Sequence, residues 1–101
     1  MKVLLVCASG MSTSIVMKKM RQYAEAKGIE GFEVSATGVG EFRNVADKYD
    51  VILLGPQIAY KKDDIVAGVN GQKPVDVIAP ADYAIANCGN IFKQVNTLLG
   101  A

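Results

Sequence analysis

Val3-Leu4-Leu5-Val6-Cys7-Ala8-Ser9-Gly10-Met11-Ser12-Thr13-Ser14 passes from an unbroken apolar run to a cluster of small and hydroxylated side chains. Directly beyond it the apolar spacing changes: Val16, Met20, Tyr23 and Ala24 fall at i, i+4, i+7 and i+8, one stripe of a helix that Gly28 is placed to end. A continuous apolar run suits a strand covered on both faces, as in a parallel sheet, so the segment reads strand, loop, helix. Val51-Ile52-Leu53-Leu54 is a second such run, and Val75-Asp76-Val77-Ile78 a shorter one. The β-formers Phe32, Val34 and Thr37, between Gly31 and Gly38, predict a further, edge-like strand. Phe42, Val45, Ala46 and Tyr49 predict a short helix, and Ile91, Val95, Leu98 and Leu99 a C-terminal one. Asp63 and Asp64 suit the first turn of another helix, which Gly68 and Gly71 keep short. Strands alternating with helices through short connections predict an α/β fold, a three-layer, doubly wound sandwich around a four-stranded parallel sheet.

The 101 residues, half of them hydrophobic, suffice for one core, and residues 1–101 read as a single domain. Eleven basic and ten acidic residues leave a net charge of +1, so no strong field draws the chain to nucleic acid or to an anionic membrane. Small molecules or other proteins are the expected partners. Cys7 and Cys88, with no CxxC and no histidine, make neither a disulfide framework nor a zinc site. Both thiols are expected to be reduced, as in cytosol. The opening apolar run is far shorter than a signal-peptide core or the roughly 20 residues of a membrane span, so no insertion into a membrane is expected.

In sheets of this kind ligands sit beyond the carboxyl ends of strands, where the chain switches direction, which directs attention to the segments after Val6 and after Leu54. In the first, the backbone N–H groups of Ala8, Ser9, Gly10, Met11, Ser12, Thr13 and Ser14 and the hydroxyls among them can converge on one anion at the start of a helix. The same donors would favour the thiolate of Cys7, so the loop offers both a nucleophile and a phosphate seat. The plainer reading makes Cys7 a small buried hydrophobe and Ser12, Thr13 or Ser14 only a helix cap. In the second segment Gly55-Pro56 reads as a strand-ending turn and Ile58 as core, leaving Gln57 and Tyr60 to face a partner. Met11 is either a third partner contact or a buried loop methionine. Lys18, Lys19 and Arg21 read as a solvated helix face. Cys88, with no basic residue near it in sequence, reads as structural. Asp82, beside Tyr83, is the one tempting general acid, and its plainer reading is a loop or capping aspartate.

Three segments, VLLVCASGMSTS, DVILLGPQIAY and KPVDVI, occur here in an order and at a spacing that resembles the IIB components of bacterial sugar phosphotransferase systems of the lactose/cellobiose type. The resemblance implies a fold similar to that of low-molecular-weight tyrosine phosphatases and a phosphocysteine formed on Cys7. It implies a phosphohistidine on a IIA protein as donor, and as acceptor a sugar held by a membrane IIC permease. A cytoplasmic location, with attachment to the membrane only through IIC, and no need of a metal or cofactor follow from it. Cellobiose, diacetylchitobiose and lactose all fit as the sugar. The absence of histidine excludes the histidine-type IIB components.

A small cysteine-dependent phosphatase of the same architecture is a second reading. Such enzymes resemble this loop but carry an arginine six positions after the cysteine, where Thr13 stands here. The bidentate hold of a guanidinium on phosphoryl oxygens is therefore missing. A non-catalytic α/β binding module in which Cys7 is incidental is the third.

Overall fold

The computed structural model describes residues 2–7, 14–69 and 71–100. Its strands are β1 (Lys2–Cys7), β2 (Glu33–Gly38), β3 (Val51–Leu54) and β4 (Val75–Val77), and its helices α1 (Ser14–Ala26), α2 (Lys62–Gly68), α3 (Pro80–Ala84) and α4 (Cys88–Leu99). The strands form one sheet in the order β2-β1-β3-β4, every pair parallel. The chain starts in the middle, moves out to β2, then crosses back past β1 to build β3 and β4. The reversal between β1 and β3 is the switch point at which such sheets open a crevice.

Alternation along the strands divides the core in two. Val3 and Leu5 of β1, with Val51 and Leu53 of β3, face α1 and α4, where Val16, Met20, Ile91 and Val95 close the layer. Leu4 and Val6, with Ile52 and Leu54, face the other way onto Phe42, Ala46, Ile58 and Ile65. β1 and β3 are thus apolar on both faces, which is why they read as unbroken runs. β2 lies at an edge, as its mixed pattern predicts. α1 presents the stripe read from the sequence, and Tyr23 stacks on Phe92 of α4 with ring centroids 4.9 Å apart. It ends where Gly28 takes φ +67°, with Ile29 N–H donating to Ala24 C=O and Gly28 N–H to Glu25 C=O, the paired bonds of a glycine-terminated helix.

Three segments depart from expectation. In place of a helix through Phe42, Val45, Ala46 and Tyr49 there are two single 3-10 turns, Phe42–Asn44 and Ala46–Lys48, separated at Val45. Val45, at φ −124° and ψ −11°, leaves the helical region and divides the stretch, and the 3-10 turns on either side still bury Phe42 and Ala46. The stretch Pro56–Lys61 is likewise 3-10, kinked at Ile58, before α2 begins. α3 is absent from the sequence reading; its signals, Pro80 at the start and Asp82 in the first turn, belong to a helix of only five residues. Among the described residues no helix is long and apolar enough to cross a membrane.

Candidate functional site

Cys7 is the last residue of β1 and is 1% exposed. The strand ends around it are tied together, since Cys7 C=O accepts from Val39 N–H at 3.1 Å and Val6 C=O accepts from Gly55 N–H at 3.0 Å. The segments that follow β1, β2 and β3 therefore leave the sheet side by side. By strand alternation Cys7 shares the face of Val3 and Leu5, the side covered by α1 and α4. Ser14 opens α1 and is exposed. Ala8, Ser9, Gly10, Met11, Ser12 and Thr13, the remainder of the expected phosphate seat, lie outside the described residues.

On this rim and this face lies a cavity of about 570 Å³. The first turns of α1 contribute Ile15 and Lys19, the segment after β3 contributes Gln57, and the α3 region contributes Tyr83 and Ile85. Ile15 and Ile85 are 66% and 69% exposed, and among the described lining residues Lys19 is the one that carries a charge. Gly55 leaves room here, because a Cβ on it would stand 2.9 Å from Gln57 Oε1 and 3.6 Å from the Tyr83 ring. Ala86, next to Ile85, holds a left-handed φ of +50°, a conformation that costs a non-glycine residue roughly 1–2 kcal/mol.

Gln57 is exposed and lines the cavity; Tyr60 is 78% exposed, with Lys61 Nζ 5.8 Å from its ring centroid, and stands outside the lining. Asp82 turns elsewhere: its carboxylate accepts from Asn90 Nδ2 at 3.0 Å and its carbonyl from Asn87 N–H at 2.8 Å, the local role of its plainer reading. It lines a separate cavity with Asn90 and Gln94.

Two of the three cations read as a solvated helix face have specific roles. Lys19 lines the rim cavity, and its charge reaches Cys88, whose thiol burial pushes above its ordinary value and Lys19 partly pulls back. The basic neighbour that Cys88 lacks in sequence is thus supplied through space. Arg21 Nη2 donates to Val34 C=O at 3.0 Å. Ile15 and Ile85 escape a reading of the chain, although Ile15 carries a usable signal: it is an aliphatic residue just off the buried stripe of α1.

Residues 2–94 match the family model of the lactose/cellobiose-specific IIB subunit of the phosphotransferase system. The oligo-beta-mannoside-specific EIIB component of Bacillus subtilis (strain 168) is 33% identical, over 97% of this chain and 95% of that protein. The galactose-specific EIIB component of Lactococcus lactis subsp. cremoris (strain MG1363) is 33% identical, over 94% of this chain and 93% of its own length. Among solved structures, the cellobiose-specific phosphotransferase IIB component of Borrelia burgdorferi superposes with a TM-score of 0.81 at 29% identity, covering 99% of this chain and 92% of that one.

Proposed function

This chain belongs to the lactose/cellobiose-specific IIB family of the sugar phosphotransferase system, and from that premise we propose that it carries a phosphoryl group on Cys7 from a IIA protein to a sugar held by a membrane IIC permease. The Cys7 thiolate attacks the phosphorus of a phosphohistidine in line, so that an S–P bond forms, the N–P bond breaks and the imidazole of IIA leaves with its electron pair. A sugar hydroxyl then attacks the same phosphorus, gives its proton to an adjacent base or to water, and displaces the thiolate, so that an O–P bond forms as the S–P bond breaks. Ala8, Ser9, Gly10, Met11, Ser12, Thr13 and Ser14 supply the donors that hold the phosphoryl oxygens, and Met11, Gln57 and Tyr60 meet the partners. Thiolate is a good leaving group and needs no general acid, which agrees with the engagement of Asp82 by Asn90. With Thr13 in place of a clamping arginine, the phosphocysteine is spared hydrolysis until the sugar arrives. Residues 1–101 act as one IIB domain on the cytoplasmic side. The sugar is chosen by IIC, since relatives equally similar to this chain are named for different sugars.

The observation that carries the reading is the position of Cys7 at the carboxyl end of an inner strand, at the switch point, directly ahead of the segment that leads into α1. The test is intact-protein mass spectrometry after incubation with phosphorylated IIA. Wild type and Cys88→Ser should gain one phosphoryl group per chain, and Cys7→Ser none, with circular dichroism unchanged in all three. A Cys7→Ser protein labelled to the wild-type extent would move the chemistry off Cys7. Multiple turnover of an aryl phosphate would favour the phosphatase instead.

A further inference from the structure

Both outer edges of the sheet are met by side chains from the α1/α4 layer. On β2, the bond from Val39 N–H to Cys7 C=O fixes which residues face β1, so Val34, Ala36 and Gly38 turn their backbone groups outward. Arg21 of α1 reaches over that edge and donates from Nη2 to Val34 C=O at 3.0 Å. On β4, Ile52 N–H donates to Pro74 C=O and Ile78 N–H to Leu54 C=O, so Val75 and Val77 are the residues that face away from β3. Both backbone groups of Val77 are occupied: its N–H donates to Asp76 Oδ1 at 2.8 Å, and its C=O accepts from Gln94 Nε2 of α4 at 2.9 Å. Gln94 Nε2 also donates to Asp76 Oδ2 at 2.9 Å, and Lys62 Nζ of α2 stands 3.5 Å from Asp76 Oδ1.

An uncovered edge offers unpaired N–H and C=O groups as a template for another strand. We infer that Arg21 on one side, and Asp76 with Gln94 on the other, close this sheet against strand addition, and that the strand they exclude is that of a second copy of this chain. A net charge of +1 gives copies little mutual repulsion, so charge alone does not keep the edges apart. Each plug occupies a group that an incoming strand would need, and at β4 the occupied residue is one of only two that face out. Contact with other proteins is thereby left to the rim of the sheet. The inference is independent of the chemistry of Cys7.

The test compares wild type with Arg21→Met, Gln94→Leu and the double variant, substitutions that keep an apolar stem of similar length while removing the donors. Sedimentation equilibrium from micromolar to millimolar protein reads association, and amide hydrogen exchange locates it. The double variant should self-associate at about a tenth of the wild-type concentration or lower, one regained hydrogen bond per edge being enough for that. Protection of the Val34, Ala36 and Val75 amides should rise with concentration. Gln94→Glu gives a second reading of the β4 edge if the double variant fails to fold, because it sets a carboxylate against Asp76 and Val77 C=O without changing side-chain length. Wild-type association in folded double or Gln94→Glu variants would overturn the inference, as would a wild type that already pairs through Val34 or Val75.

Discussion

Gly68 is held to glycine by a neighbour and not by its own backbone. A Cβ there would stand 2.6 Å from Cζ of the buried Phe42 and 3.0 Å from Arg43 Nε. Gly68→Ala should therefore destabilise the protein by about 1–3 kcal/mol from overpacking, even though alanine has the higher helix propensity. A urea titration checks this, with a lower midpoint and unchanged slope expected; a midpoint at or above wild type would mean that the Phe42 ring gives way freely. Gly28 is the contrasting case, since a Cβ added there would meet nothing within 4 Å, and its φ of +67° itself asks for glycine. A sequence distinguishes the two poorly. Gly28 follows a helical stripe and is legible as a stop, whereas the ring that constrains Gly68 comes from a segment 26 positions earlier. The same limit hides the reach of the Lys19 charge to Cys88, because the faces that α1 and α4 turn to each other are set by packing.

Among the elements, β4 has the most varied support, since Asp76 takes bonds from its own strand and from Gln94 of α4, and a charge contact from Lys62 of α2. α2 and α4 lie on opposite faces of the sheet, so this carboxylate joins the two helical layers round the open edge. Burial alone would raise the Asp76 carboxyl, but the bonds from Gln94 and Val77 and the charge of Lys62 outweigh it and hold the group below its ordinary value. A carboxyl depressed on folding stabilises above its unfolded pKa, and that contribution disappears as pH falls through the lower folded value. From about pH 4 downward, wild type should lose stability more steeply than Asp76→Asn, as followed by thermal melts across an acid series. Parallel curves would show that Asp76 contributes nothing to acid sensitivity. β1 and β3 are legible in the sequence because burial on both faces leaves no polar alternation to confuse the run. The stretch from Phe42 to Tyr49 misleads because a spacing of three suits 3-10 turns and an α-helix alike. Arg21 and Gln94 cannot be read as edge plugs until the strand order is known.

For the molecule as a whole, the exposed aliphatic surface at Ile15 and Ile85 gathers on the same rim as Cys7. If the IIA donor covers that rim, Ile85→Asp should raise its KM by about tenfold or more while transfer at saturating donor stays near wild type. Steady-state labelling of Cys7 against donor concentration reads both quantities. An unchanged KM, in a variant that still accepts the phosphoryl group, would take this cavity out of the donor interface. Cys7 and the loop after it are proposed from composition and position, whereas the exposed pair Ile15 and Ile85 is not, since exposure of an isoleucine depends on how α1 and α3 are set against each other. The strand order has a consequence for fluctuations too. β1 is paired along both sides, so releasing it means breaking two ladders, whereas β2 and β4 can each peel away by breaking one. Partial openings of low free energy should thus begin at the margins of the sheet and leave the footing of Cys7 intact until unfolding becomes global.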